Sequence, residues 1–349
     1  MDNGKRISFR WWIFNIMYQI INNIAVKSVI SVVPKKKSIL QKNEKDEKLL
    51  RVSRVIGVKE SYKADNSTTV IDLFEKASKK ILKKNLINKK KIKFLICVTQ
   101  TPDYLMPSCS NVLHQKLELD NDCVTFDINL GCSGYVYGLF VIMSLIEKCN
   151  KEIYGLLLVG DTISKTVDIN DRSNSLLFGD AVSATLIEKK MGYKNFFLIG
   201  SVNEGYDKLI LRNSGFKLDK NNKLKPEFFM DGKEVFSFAI RYVPRLITDL
   251  IKYSKIKINK INYFILHQAN KMMLDKIFDI IPVDKEKRLF SIRNYGNTSS
   301  ASIPLTICKN LHQIKDNKLS VLSGFGAGFS YATCITDLSK SKIFRIIKN

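Results

Sequence analysis

The sequence has no Cys-x-x-Cys pair, and its seven cysteines (97, 109, 123, 132, 149, 308 and 334) sit mostly inside apolar runs. That spacing argues against a zinc site and against a disulfide framework, and it fits free thiols in a reducing cytoplasm. Histidine is also scarce: only His114, His267 and His312 are present. A metal centre would have few ligands to draw on, and none is expected. Acidic residues are short as well, with 33 Asp and Glu against 57 Lys and Arg and a formal net charge of +24. Clustered cations would suggest phosphate binding. Here the lysines are spread along the chain without a nucleic-acid motif, and alanine is rare while Asn and Ile are common, so much of the charge reflects compositional bias. No nucleic-acid partner is expected; an acidic protein partner suits the charge at least as well.

An uninterrupted membrane span is missing too. The stretch "RWWIFNIMYQIINNIAV" is apolar and aromatic, but Asn15, Gln19, Asn22 and Asn23 break it, and no small-residue cleavage site follows. Residues 1–24 therefore read as an N-terminal extension, an interfacial or dimer-facing helix able to touch a membrane surface. The first core strand is expected at Val26–Val33.

What is present is a repeated order of elements. "TVIDLFEKASKKILKKN" has helical periodicity and leads through lysines into the apolar "KIKFLICVTQ"; "EVFSFAIRYVPRLITDLIKYS" leads likewise into "KINYFILHQAN". Downstream, "CVTFDINLGCSGYVYGLFVIMSLI" and "RLFSIRNYGNTSSASIPLTICKNL" each read as strand, glycine, polar residue and helix. Then "IYGLLLVGDT" and "KLSVLSGFGAG" both read as strands ending in glycine. Matching Thr99 to His267 gives an offset of 267 − 99 = 168, and Cys132 to Asn297 gives 297 − 132 = 165. Such a repeat predicts an α/β fold of two pseudo-symmetric halves, residues 25–195 and 196–349, with helices covering the strands.

In α/β folds functional groups collect where strands end and helices begin. That rule selects Cys132, His267 and Asn297. At a helix start, unpaired N–H groups and aligned peptide dipoles favour negative charge by roughly 0.3–2 kcal/mol, which would lower the pKa of the Cys132 thiol. Each residue alone has an ordinary structural explanation: a small buried thiol, a hydrogen-bonded histidine, a turn asparagine. Together they fit a protease-like Cys-His-Asn triad. They also fit acyl transfer to Cys132 with carbon–carbon bond formation, in which His267 and Asn297 donate hydrogen bonds to an enolate oxygen.

Seven motifs in order carry a resemblance: "TPDYLMPS", "FDINLGCSGYVYGL", "DRSNSLLFGDAVSATLIE", "MDGKEVFSFAI", "ILHQAN", "YGNTSSASIPL" and "SGFGAGFSYA". Over residues 26–338 the chain resembles the β-ketoacyl-acyl-carrier-protein synthase III family. The resemblance implies a thiolase-like fold in a five-layered αβαβα arrangement, a cytoplasmic homodimer and decarboxylative Claisen condensation. It implies no cofactor; CoA or acyl-carrier-protein thioesters are substrates, and acyl carrier protein is the partner. Cys132 would be the acylated nucleophile, and His267 with Asn297 would promote decarboxylation of a malonyl thioester. The Cys132 N–H and Gly328 would form the oxyanion hole. Asn270, Arg172, Lys271 and Phe325 would contact substrate, and Met106 would reach into the partner subunit's acyl pocket. An acyltransferase that does not condense is the alternative within the fold.

Departures from the family pattern cluster at one function. "RVSRVIGVKE" lacks the tryptophan that often clamps the CoA adenine and holds Arg54 one position out of register; Met272 stands where many members have arginine; Ala181, Val182 and Ser183 replace small glycines. They imply that the primer arrives on an acyl carrier protein.

Overall fold

The computed structural model describes residues 17–39, 47–149, 152–217, 226–314 and 319–349. The first part of the chain forms β1 (Met17–Val33), β2 (Lys37–Ile39), α1 (Glu47–Ile56), β3 (Glu60–Tyr62), α2 (Val70–Asn85), β4 (Ile92–Val98), α3 (Cys109–Lys116), β5 (Val124–Ile128), α4 (Gly134–Glu147), β6 (Tyr154–Asp161), α5 (Arg172–Leu177) and β7 (Ala181–Ser201). The remainder forms β8 (Leu209–Arg212), β9 (Glu227–Met230), α6 (Gly232–Ser254), β10 (Tyr263–Leu266), α7 (Lys271–Ile280), α8 (Ile292–Tyr295), α9 (Ser302–Lys309), α10 (Leu311–Ile314), β11 (Leu319–Gly326), β12 (Ser330–Asp337), β13 (Lys342–Ile343) and β14 (Ile347–Lys348).

The main sheet runs β10-β11-β12-β7-β6-β4-β5, with β1 alongside β7. Two long strands divide it into halves. The early part of β7 pairs with β6, from Asp161↔Ala181 to Tyr154↔Glu188, and its late part pairs with β12, from Ile335↔Phe196 to Ser330↔Ser201. Strand β1 follows β7 antiparallel across both, from Met17↔Ile199 to Val32↔Val182, with an irregularity near Asn22. In one half β4 lies parallel to β5 and β6. In the other, β10 lies parallel to β11, which turns back into β12. Strands β4 and β6 are almost wholly buried, as expected of parallel strands covered on both faces.

Helices supply the other layers. Helix α4 reads "GYVYGLFVIMSLIE" and packs with α9 between the half-sheets, against Ile24, Ile96, Leu157, Ile265 and Leu322. A helix enclosed on most sides has little need of a polar face. Helices α2 and α3 cover the outer face of one half-sheet, and α6 and α7 the other. Helix α2 starts at a capping box in which Thr69 and Asp72 satisfy each other's backbone N–H groups. The result is the expected thiolase-like αβαβα arrangement.

Two expectations change. Residues 17–24 belong to strand β1 and are not a helix: exposed Met17 and Gln19 alternate with half-buried Tyr18 and Ile20, the alternation breaks at buried Ile21 before the irregularity at Asn22, and Tyr18 stacks on Tyr253 of α6 at 4.2 Å. Gln19 and Asn22, two of the polar residues that interrupt a helical or membrane reading, are exposed on that strand. Residues 1–16 of that extension lie outside the described residues. The strand expected within "RLFSIRN" is a single parallel bridge, Phe264↔Arg288, so the second half has no counterpart to β5. The boundary expected at residue 195 falls inside β7. Among the described residues no helix is long and apolar enough to cross a membrane.

Candidate active site

The turn between β5 and α4 carries Cys132. It is tight because neighbouring groups leave no room for side chains: a Cβ on Gly131 would lie 2.3 Å from Gln100 Oε1, and one on Gly134 2.5 Å from Val98 Cγ1. The other half of the molecule closes on the same point. Cβ atoms on Gly324 and Gly326, at the end of β11, would lie 2.7 Å from the Cys132 carbonyl oxygen and 2.8 Å from its Cβ. These glycines let a strand end from one half press against Cys132 of the other.

His267 follows β10, and its backbone N–H donates to Ser323 O of β11 at 2.8 Å. Its ring is buried, with Nδ1 2.7 Å from Ser302 Oγ and the Phe325 ring edge-on at 5.5 Å. Asn297 sits after the Gly296 turn and bridges to the "FGD" segment. Its N–H donates to Leu177 O at 2.9 Å, and its carbonyl accepts from Gly179 N at 3.0 Å. A Cβ on Gly179 would lie 2.2 Å from Tyr295 O, so the glycines of "YGN" and "FGD" permit this crossing. The Asn297 side chain accepts from Ser299 N–H at 3.0 Å and donates to Ala269 O at 3.4 Å.

Cys132, His267 and Asn297 line one cavity of about 330 Å³, together with Phe325 and Asn270. The sequence rule of strand ends thus brings all three to one place. Asn270 also caps α7, its Oδ1 accepting from Met273 N–H at 2.7 Å. Lys271 is tied to Asp275 and lies over the Phe290 ring, away from the cavity wall. Met106 is 84% exposed and also outside the lining. The Arg172 side chain lies outside the described residues.

Strand β11 ends at Gly326, and Gly326 and Ala327 line the cavity with Cys132, while Gly328 follows in the turn outside the lining. Gln100 and Ser299 also line the cavity, as does the β8–β9 hairpin through Leu209, Leu211, Phe228 and Met230; none of these was singled out as a site residue. Phe228 meets Phe178 edge-on at 5.3 Å. The available signal for β9 was the short apolar run in "EFFM".

Electrostatics reverse one expectation. Burial pushes the Cys132 thiol up to about 12, and the buried carboxylate of Asp161 adds to the shift; the Ser299 hydroxyl and Cys132's own backbone oppose it. Cys132 keeps some accessible surface along the cavity, but lost hydration outweighs the helix start. Asp161 is held by Thr99 Oγ1, Gln100 N–H, Thr101 Oγ1 and Ser300 Oγ, which donate to it at 3.0, 2.6, 3.3 and 3.3 Å. For His267, burial lowers the pKa from 6.5 to about 3, with a Ser299 backbone contact opposing. The imidazole is therefore neutral at physiological pH.

A stability prediction follows from that shift. The unfolded chain takes up a proton at His267 below pH 6.5 while the folded chain resists until about 3. The stability contribution is full above pH 6.5 and is lost as pH falls, by about 2 kcal/mol at pH 5. Urea unfolding at pH 8 and pH 5 should show that loss for the wild type and a smaller one for His267→Gln. Equal losses in both proteins would contradict a depressed His267 pKa.

Comparisons to known proteins point to one family. The family profiles for 3-oxoacyl-[acyl-carrier-protein] synthase III and for its C-terminal region match residues 126–204 and 251–338. A putative 3-oxoacyl-[acyl-carrier-protein] synthase 3 of Campylobacter jejuni is 35% identical over 301 residues, 82% of this chain and 84% of that protein. A β-ketoacyl-[acyl-carrier-protein] synthase III of Streptococcus agalactiae is 32% identical over 295 residues, 82% and 90% of the two chains. The crystal structure of a 3-oxoacyl-(acyl-carrier protein) synthase from Burkholderia xenovorans superposes with a TM-score of 0.91 at 34% identity, covering 96% of this chain and 99% of that one. On this evidence the chain belongs to the 3-oxoacyl-[acyl-carrier-protein] synthase III family.

Proposed function

We propose that the protein loads an acyl primer onto Cys132 and condenses it with malonyl-acyl-carrier protein, with loss of CO2, in fatty acid or related acyl-chain biosynthesis. The observation that carries this reading is the convergence on one cavity of a nucleophilic thiol and two neutral side chains with N–H groups to donate.

The steps balance without a cofactor. Sulfur attacks the primer thioester carbonyl, the backbone N–H groups of Cys132 and Ala327 stabilise the oxyanion, and the thiol proton ends on the departing thiol. A thiol held near 12 attacks only as its proton leaves. The malonyl thioester then enters, and its carbonyl oxygen accepts from His267 and Asn297. Cleavage of the carboxylate–carbon bond releases CO2 and leaves an enolate on that oxygen. The enolate carbon attacks the acyl-Cys132 carbonyl, and collapse of the tetrahedral species expels the Cys132 thiolate, which regains its proton from water, and leaves the β-keto product. A neutral imidazole suits this role because it donates without being an acid strong enough to quench the enolate.

The working unit is proposed to be a cytoplasmic homodimer. Strand β5 is a sheet edge with Val124 half exposed, and Met106 projects with exposed Tyr104 and Leu105 toward a neighbour. A monomer by light scattering would reject this. An acyl carrier protein is proposed to deliver the primer, in keeping with the missing adenine clamp. Micromolar saturation by acetyl-CoA with fast turnover would reject that.

The test of the reaction is intact-protein mass spectrometry after incubation with acyl-CoA and acyl-carrier-protein thioesters, then malonyl-carrier protein. The expected result is an acyl adduct discharged by malonyl-carrier protein to a β-keto product. An adduct that ignores malonyl-carrier protein would instead establish simple acyl transfer.

A further inference from the structure

We propose that Ser302 is a positioning residue that holds His267 in the tautomer with its proton on Nε2, so that the imidazole presents a donor to substrate. The inference rests on the reading of His267 as a hydrogen-bond donor given above.

Ser302 opens α9 and is buried. Its Oγ lies 2.7 Å from His267 Nδ1 and accepts from Gln268 N–H at 3.4 Å. A serine hydroxyl has one proton and two lone pairs. The Gln268 N–H uses a lone pair, and among the described contacts Nδ1 is the acceptor within reach of the hydroxyl proton. If Nδ1 carried hydrogen instead, two donors would converge on Oγ and the Ser302 proton would be buried without a partner, an arrangement folded proteins avoid. Nδ1 therefore accepts, and the single proton of the neutral ring stands on Nε2. The arrangement parallels the way outer partners fix the tautomer of metal-binding histidines.

The surroundings keep Ser302 in place. Gln268 is locked by three bonds: its Oε1 accepts from Ser291 and Ile292 N–H at 2.8 and 3.1 Å, and its Nε2 donates to Leu266 O at 2.7 Å. Thr306 Oγ1 donates to Ser302 O at 2.7 Å and sits 2.7 Å from Ser291 Oγ. The segment bearing His267 and the first turn of α9 are thus joined twice. The Phe325 ring edge offers no competing proton or lone pair, and the Ser299 backbone, whose contact raises the ring's pKa, acts as an acceptor for a ring N–H.

The test is the ring itself. In protein labelled with 15N-histidine, His267 is assigned by its loss in His267→Gln, and long-range proton–nitrogen correlations report which nitrogen carries hydrogen. The wild type should show hydrogen on Nε2, and Ser302→Ala should show a mixture of both tautomers. Decarboxylation of malonyl-CoA should fall about 10- to 100-fold in kcat with KM within about 2-fold, and Ser302→Thr should recover most of it. Acylation of Cys132 should be unchanged. A wild-type ring with hydrogen on Nδ1, or an unchanged tautomer in Ser302→Ala, overturns the proposal whatever the rates do. A wild type that never decarboxylates malonyl-CoA would defeat the functional reading while leaving the tautomer assignment standing.

Discussion

Cys132→Ser should form no acyl adduct on the time scale of the wild type, and condensation should fall by at least about 1,000-fold. The reason lies in what surrounds the hydroxyl. A serine nucleophile needs a base to take its proton, and the nearest histidine resists protonation down to about 3. The thiol manages because sulfur is intrinsically more nucleophilic and its ordinary acidity is far higher, even after burial lifts it to about 12. The remaining cysteines cannot substitute, since none of them lines the cavity. Intact mass after exposure to an acyl thioester, with turnover on malonyl-carrier protein, measures both parts. An adduct of undiminished yield in Cys132→Ser would place the nucleophile elsewhere.

Asn297→Ala and His267→Ala should each slow decarboxylation of the malonyl thioester by about 100- to 1,000-fold, the loss typical of one oxyanion donor. Acylation of Cys132 should survive in both, because neither side chain is assigned to the primer carbonyl. The double variant should be little worse than the poorer single one: two donors to one oxygen act as a unit. Loss of the Asn297 amide also leaves Ala269 O and Ser299 N–H without their partner, costing about 1–3 kcal/mol of stability. Each variant therefore needs a melting curve beside its rates. Were acylation and decarboxylation to fall together in His267→Ala, the histidine would be serving the thiol as a base, and the protease-like arrangement would regain its place.

The meeting of Cys132, His267 and Asn297 in one cavity was legible in the sequence because each stands where an apolar strand run stops at a glycine-rich or polar corner, and because the corners recur at nearly equal offsets. Their electrostatics were not. Helix-start position argued for a more acidic thiol, while the structure surrounds Cys132 with protein and sets Asp161 nearby. Linear sequence shows the local dipole and hides the desolvation produced by residues from 161 to 326. Ser302 was invisible for a related reason. It lies 35 positions from His267, and a serine in a helical segment carries no mark of what its hydroxyl faces. Nor does "GFGAGF" reveal that strand β11 ends at Gly326 and that Gly326 and Ala327 line the cavity. Residues 17–24 were misread because their alternation breaks near two adjacent asparagines, where the pairing with β7 is irregular.

The pairing of β1 with β7 bears on how the chain is made. Val32 meets Val182 and Met17 meets Ile199, so the first strand to be synthesised has its partner 150 to 182 residues later. At ribosomal rates of 5–20 residues per second, that is a wait of roughly 8–36 s. During it an apolar segment with both edges open has nothing to pair with. Contacts this distant in sequence also make for slow closure once synthesis ends. Nascent chains are therefore expected to depend on chaperone protection from the emergence of β1 until β7 is complete, and neither half should fold as a free-standing piece.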